Sequence, residues 1–214
     1  MQLTTDHFLE KGDTLIEVMI SFALFAAVAV TTLAVMNQGT GTVQRALEIT
    51  LVRAQMDSQI EALQYVHEAY VAGFQRGVIP AAGSTAAQWT DIKTKYLVAT
   101  ASTFGQLNAG QCQLPGGTSK PFIMNAQTAV PQQSGLTSLP PAGGSLPPFS
   151  QVLYDGSTPG VITNAYGIWL EAVESPAGII GTPYIDFHVR SCWDGAGSTV
   201  PVTLGTIVRL YDPS

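Results

Sequence analysis

Nineteen consecutive residues without a charge, Val18 to Met36 (VMISFALFAAVAVTTLAVM), constrain this chain more than any other feature. At ordinary helical rise they span about 28 Å, close to the hydrocarbon thickness of a bilayer. A cleaved secretory signal is the rival reading. It would have a shorter apolar core ending in a small-x-small cleavage site, and the small residues here run throughout the segment without settling the matter. The stretch downstream discriminates better. After Asn37-Gln38-Gly39-Thr40-Gly41, apolar side chains recur at helical spacing at Val43, Leu47, Leu51, Met56, Ile60, Leu63, Val66, Tyr70 and Phe74. Gln44, Arg45, Glu48, Arg53, Asp57, Glu61 and Glu68 fall mostly between them, so the span runs into an amphipathic helix. Residues 13–75 contain no proline, and one helix over that range would be about 95 Å long, far more than a small domain needs for its own core. Gly39 and Gly41 each cost about 1 kcal/mol against alanine in a helix interior. They predict bending, local melting or a passage from lipid to water, or else a membrane helix that ends before a second begins.

Glu17 stands just before the uncharged run. An ionised carboxylate in hydrocarbon costs several kcal/mol unless it is paired or reaches the interface. Near the start of a helix it can sit at the headgroups. It can also pair with a positive group presented by another subunit, and a free amino terminus made by cleavage just upstream would be such a group.

The stretch Lys11-Gly12-Asp13-Thr14-Leu15-Ile16-Glu17-Val18, followed by the apolar run, resembles the amino-terminal motif of type IV prepilins and pseudopilins. The usual form in that family is a glycine followed by Phe-Thr-Leu-Ile-Glu. The resemblance covers residues 11 to about 40 and implies a leader of residues 1–12, cut by a prepilin peptidase between Gly12 and Asp13. It further implies that Glu17, as the fifth mature residue, pairs with the amino terminus of a neighbouring subunit during filament assembly. Lys11 matches the basic residue that precedes the glycine. Asp13 departs from the pattern by replacing the usual phenylalanine, which leaves methylation of the new amino terminus open. The implied partners are other pilin subunits, met through the helix, with the cytoplasmic membrane holding the chain before assembly and the cell surface afterwards. Ser21, Ala23, Ala27 and Thr31 recur at near-helical spacing and permit close approach of helix backbones, although ordinary membrane-helix composition explains them equally well.

Beyond Phe74 the texture changes. Residues 77–150 are rich in Gly, Ala, Ser, Thr, Gln and Pro and read as long surface connections, with one short helix or strand around Trp89 to Ala99. The last third reads as strands: Ile168 to Val173, Tyr184 to Trp193, and Gly205 to Tyr211. In the second, Ile185, Phe187, Val189 and Trp193 alternate with Asp186, His188 and Arg190, which reads as an apolar face and a solvated polar one. Short links favour an antiparallel meander with the amphipathic half of the helix as its cover. The expected class is therefore α+β, with a long N-terminal helix, membrane-spanning over 18–36 and then amphipathic, packed on a small antiparallel sheet. Domains are expected at 13–75 for the helix and 76–214 for a loop-rich head. That arrangement matches the spine and carboxy-terminal head that the pilin resemblance implies.

Cys112 and Cys192 are far apart, with no CxxC pair and no neighbouring histidines, so one long-range disulfide is a better reading than zinc. Net charge is −6 and the nine Lys/Arg are scattered, which disfavours nucleic-acid binding through a basic patch. Nucleophile-elbow, Walker A, HExxH and Rossmann patterns are absent from the sequence, and no enzyme activity, cofactor or metal is expected. Asp155-Gly156-Ser157 and Asp194-Gly195 offer too few spaced oxygens for calcium. His67 is expected at the surface or a rim. Three functions follow in order: a type IV pilin-like, minor subunit of a filament for adhesion, motility or DNA uptake; a pseudopilin of a type II secretion system; and a single-pass anchored binding domain that never polymerises.

Overall fold

The computed structural model describes residues 13–102, 112, 114–137, 149–175, 181–195 and 200–213. Helix α1, Asp13–Gln75, is helical without a break through Gly39 and Gly41, so neither glycine ends it. A Cβ added at either would meet nothing within 4 Å, so close packing within the chain does not require them. By internal contacts the chain divides into two units after Gln44.

In the first unit every described side chain from Leu15 to Thr40 is exposed. The second unit is α+β. It contains the amphipathic half of α1, then α2 (Thr85–Lys95), β1 (Leu97–Val98), β2 (Ile123–Met124), β3 (Pro131–Gln132) and β4 (Leu136–Thr137). Strands β5 (Gln151–Tyr154), β6 (Ile162–Tyr166), β7 (Ile168–Glu174), β8 (Tyr184–Trp193) and β9 (Val202–Tyr211) complete it. The main sheet has the order β1-β7-β8-β9, antiparallel from β7 to β9, with the short β1 lying parallel to β7. A hairpin of β2 and β3 and a small sheet ordered β4-β6-β5 form separate ladders, the hairpin being tied to β7 by a bridge between Phe122 and Leu170. Gly167 alone separates β6 from β7, and its φ of 57° lets the chain leave one sheet and enter the next without the steric cost a Cβ would bring.

The expected meander is therefore present, with β9 starting three residues before the expected Gly205. The segment read as connections holds α2, capped by the Ser84 hydroxyl accepting from Ala87 N–H, and several two-residue strands. Strands β5 and β6 were not expected.

The core lies between α1 and one face of the main sheet. Val52, Met56, Leu63 and Val66 of α1 are buried with Ile168, Leu170, Ala172, Ile185, Phe187 and Val189. Burying each side chain of this kind contributes about 1.5–3 kcal/mol. Trp89, Trp169 and Trp193 are all fully buried, and Trp89 lies 5.6 Å from the Phe187 ring.

Two expectations about faces need correction. Leu47 and Leu51 were read as core-facing, but both are exposed, and the helix turns Glu48, Val52, Met56, Gln59 and Leu63 inward instead. Two of these inward positions are polar because they reach partners: the Glu48 carboxylate accepts from the Trp193 indole at 3.1 Å, and Gln59 Oε1 accepts from Met124 N–H at 2.8 Å. The polar face of β8 was read as solvated, but Arg190 on it is buried. The sheet is covered on both faces in this region.

Candidate functional site

The apolar first half of α1 is the most functional-looking element of the chain. From Leu15 it is long and apolar enough to cross a membrane, and none of its most apolar window is buried within the chain, so it is a candidate membrane anchor. Its few hydroxyls are satisfied locally. Thr31 Oγ1 lies 2.9 Å from both the Ala27 and the Val28 carbonyl, and Thr32 Oγ1 donates to Val28 O at 2.7 Å. Such bonds remove the desolvation cost of a hydroxyl in an apolar medium. Glu17 has no comparable partner among the described residues. It is exposed and flanked on its own helix surface by Val18, Ser21, Phe22 and Phe25, which line a shallow depression beside it. Asp13 is the first residue of α1; Lys11 and Gly12 lie outside the described residues.

The two cysteines do meet. Cys112 and Cys192 form a disulfide with their Cα atoms 5.4 Å apart, closing a sequence separation of 80 residues. Cys192 sits on the sheet face opposite α1, and both cysteines are buried there. Next to Cys192, Trp193 points to the opposite face, toward Glu48.

On the same outer face lies a polar cluster that sequence reasoning missed. Glu171 of β7 is fully buried, and its carboxylate accepts from Ser102 N–H at 3.1 Å, Ser102 Oγ at 2.7 Å and Ser119 Oγ at 3.1 Å. Arg190 of β8 places Nε 3.6 Å from Glu171 Oε2, and its Nη1 donates to Ser102 Oγ at 3.3 Å. A buried carboxylate is tolerable only with such a full set of donors. The cluster pins the chain around Ser102 and Ser119 to the sheet. His188 stands directly opposite Glu171 in the β7–β8 register, with Nδ1 3.4 Å from Arg190 Nη2. Burial, and then the positive charge of Arg190, lower its pKa from the usual value. The same burial lowers the pKa of Arg190 from the ordinary guanidinium value.

Toward the open side of the sheet, Arg209 of β9 makes a two-pronged bond to Asp186, Nε to Oδ1 at 2.7 Å and Nη2 to Oδ2 at 2.8 Å, and stacks 3.8 Å over the Tyr184 ring. This contact holds the Asp186 carboxyl below the usual carboxylate range. His67 occupies a rim, 4.7 Å from the Trp89 ring with Nε2 2.9 Å from Tyr211 O. Asp155 is used locally, its Oδ1 accepting from Ser157 N–H at 2.7 Å in a tight turn. Among the described residues no three His, Cys, Asp or Glu side chains gather in a way that would hold a metal ion.

A cleft of about 490 Å³, lined about equally by polar and apolar atoms, opens elsewhere, beside Tyr65, Glu61, Gln127 and Ala129. Ala129 has a φ of 56°, a conformation alanine rarely adopts.

Compared with protein-family models, with curated proteins and with solved structures, the chain finds no match.

Proposed function

We propose that this chain is a type IV pilin-like subunit, of the minor kind, anchored by the apolar half of α1 and assembled through it into a surface filament after cleavage between Gly12 and Asp13. One observation carries the reading: an apolar helix exposed from Leu15 to Thr40, with the carboxylate of Glu17 five residues after a glycine and no partner for it among the described residues. A surface of that kind suits both lipid and the packed helices of neighbouring subunits. A cationic amino terminus supplied by the next subunit would offset the charge of Glu17 and fix the register between the two. The folded second unit would then be carried outside the membrane. Its disulfide fits an oxidising compartment. A type II secretion pseudopilus subunit would use the same helix in the same way.

The test is intact mass and amino-terminal sequencing of the protein from its native membrane or filament fraction. A chain beginning at Asp13, with or without a methyl group, is the expected result. A start at Met1 would leave a plain membrane-anchored domain, and a start beyond residue 30 would identify the apolar run as an ordinary secretory signal.

A further inference from the structure

The cleft beside Tyr65 is walled by three elements of the second unit. α1 supplies Ser58, Glu61 and Tyr65, spaced three and four residues apart and so on one stripe of the helix. α2 supplies its first residue, Thr85, and the turn between β2 and β3 supplies Gln127 and Thr128. Its volume of about 490 Å³ falls within the range of small-molecule sites, about 300–1,000 Å³.

The turn is held from several sides. Ala129, near its end, has a left-handed φ of 56°, and strain of that kind persists only where the surroundings over-determine it. Asn125, 2% exposed, does so. Its Oδ1 accepts from the N–H groups of Gln127 and Thr128, its carbonyl accepts from Ala129 N–H at 2.7 Å, and its Nδ2 donates to Gly160 O at 2.6 Å. Gln127 Oε1 accepts from Gly160 N–H at 2.9 Å, which orients the amide and leaves its NH2 group without a partner among the described residues. The Glu61 carboxylate and the hydroxyls of Tyr65, Thr85 and Thr128 also have no partner among those residues. Tyr65 itself is 59% exposed.

The lining excludes several ligand classes. Among the described residues no lysine, arginine or histidine lines the cleft, which disfavours phosphates, carboxylates and nucleic acid. A single carboxylate does not make a metal site. No leucine, isoleucine, valine, methionine or phenylalanine lines it among those residues, which disfavours an acyl chain or the apolar face of a helix. What remains is an exposed ring beside small side chains, rimmed by a carboxylate, an amide and hydroxyls. A pyranose presents the complement: a face of C–H groups that suits the negative face of an aromatic ring, and a rim of hydroxyls that both donate and accept.

We propose that this cleft binds one unit of a neutral saccharide, stacked on Tyr65 and hydrogen-bonded at its rim by Glu61, Gln127, Thr85 and Thr128. The Glu61 carboxylate accepts from sugar hydroxyls, and the free NH2 group of Gln127 donates to another. Tyrosine offers its contact area at low entropic cost, and a turn already held in place has little ordering left to undergo on binding. A lysine of a protein partner would use Tyr65 and Glu61 alone and leave the amide and the threonine hydroxyls idle. This binding does not depend on how the amino terminus is processed.

The full-length chain, held in a detergent without a sugar headgroup, tests the site on an array of immobilised neutral, sialylated and sulfated glycans that also carries a lysine-rich peptide. Neutral glycans sharing one unit should bind, and titration calorimetry with a soluble disaccharide containing that unit then gives the affinity. Tyr65→Ala should weaken it about tenfold or more, whereas Tyr65→Phe, which keeps the stacking face, should retain most of it. Glu61→Gln, an exposed substitution that spares the ring, should weaken it about threefold or more. Tyr211→Ala, at a comparably exposed tyrosine outside the cleft, should leave it unchanged. Absence of binding to every neutral glycan, preference for the acidic glycans or for the lysine-rich peptide, or equal binding by wild type and Tyr65→Ala would each overturn the proposal.

Discussion

The carboxylate of Glu171 and the guanidinium of Arg190, on adjacent antiparallel strands, lie 3.6 Å apart in the interior, with two serine hydroxyls completing the carboxylate's shell. Removing the Glu171 carboxylate takes away its ion pair with Arg190 and leaves the donors of Ser102 and Ser119 without their acceptor, and breaking a buried pair costs about 3–5 kcal/mol. Glu171→Ala should therefore lower stability by that order. It should also release the chain around Ser102 and Ser119 to early proteolysis, and denaturant unfolding with limited proteolysis will measure both effects.

The disulfide closes a long loop, so its main action is on the unfolded chain. For a separation of 80 residues, chain-entropy arguments give about 4–5 kcal/mol, with measured cases spreading from 2 to 5. The double variant Cys112→Ser/Cys192→Ser should lower the midpoint of chemical denaturation accordingly while leaving the far-ultraviolet circular dichroism of α1 in place.

His188 supplies a pH dependence of definite sign. Its folded pKa is lowered, so the unfolded chain takes up a proton more readily than the folded one does. Its contribution to stability is then fully present above the ordinary histidine range and is lost as pH falls from about 6.5 toward the folded value. Asp186 acts in the same direction at lower pH, through the carboxylate range. Denaturation midpoints measured between pH 7 and 5 should fall in the wild type and fall less in His188→Gln.

Glu17→Ala should leave processing at Gly12 largely intact and remove the subunit from sheared surface filaments. Immunoblots of membrane and sheared fractions check this, and normal incorporation of the variant would count against the role given to Glu17.

The helix, the apolar span and the β7–β9 meander were legible in the sequence because length and periodicity carry them directly. The cover of the sheet was not. Glu171 sits in an apolar run, Ile168 to Val173, and nothing local says that Ser102 and Ser119, some 69 and 52 residues away, will supply its donors. The alternation of β8 likewise marked Arg190 as outward but could not tell that the outward face is itself roofed. The inward face of α1 was misjudged because its polar members, Glu48 and Gln59, are recognisable only once Trp193 and Met124 are in place. Strands β5 and β6 were hidden by Ser, Thr and Gly in their surroundings, residues that usually mark turns.

Cys192 and Trp193 are consecutive residues at the end of β8, one bonded through the outer face to Cys112 and the other reaching through the inner face to Glu48 on α1. They work as a rivet driven through the stacked layers. A tensile load on α1 near Glu48 enters the sheet at that strand end and is passed at once to a covalent bond, so the unit would resist being peeled apart layer by layer.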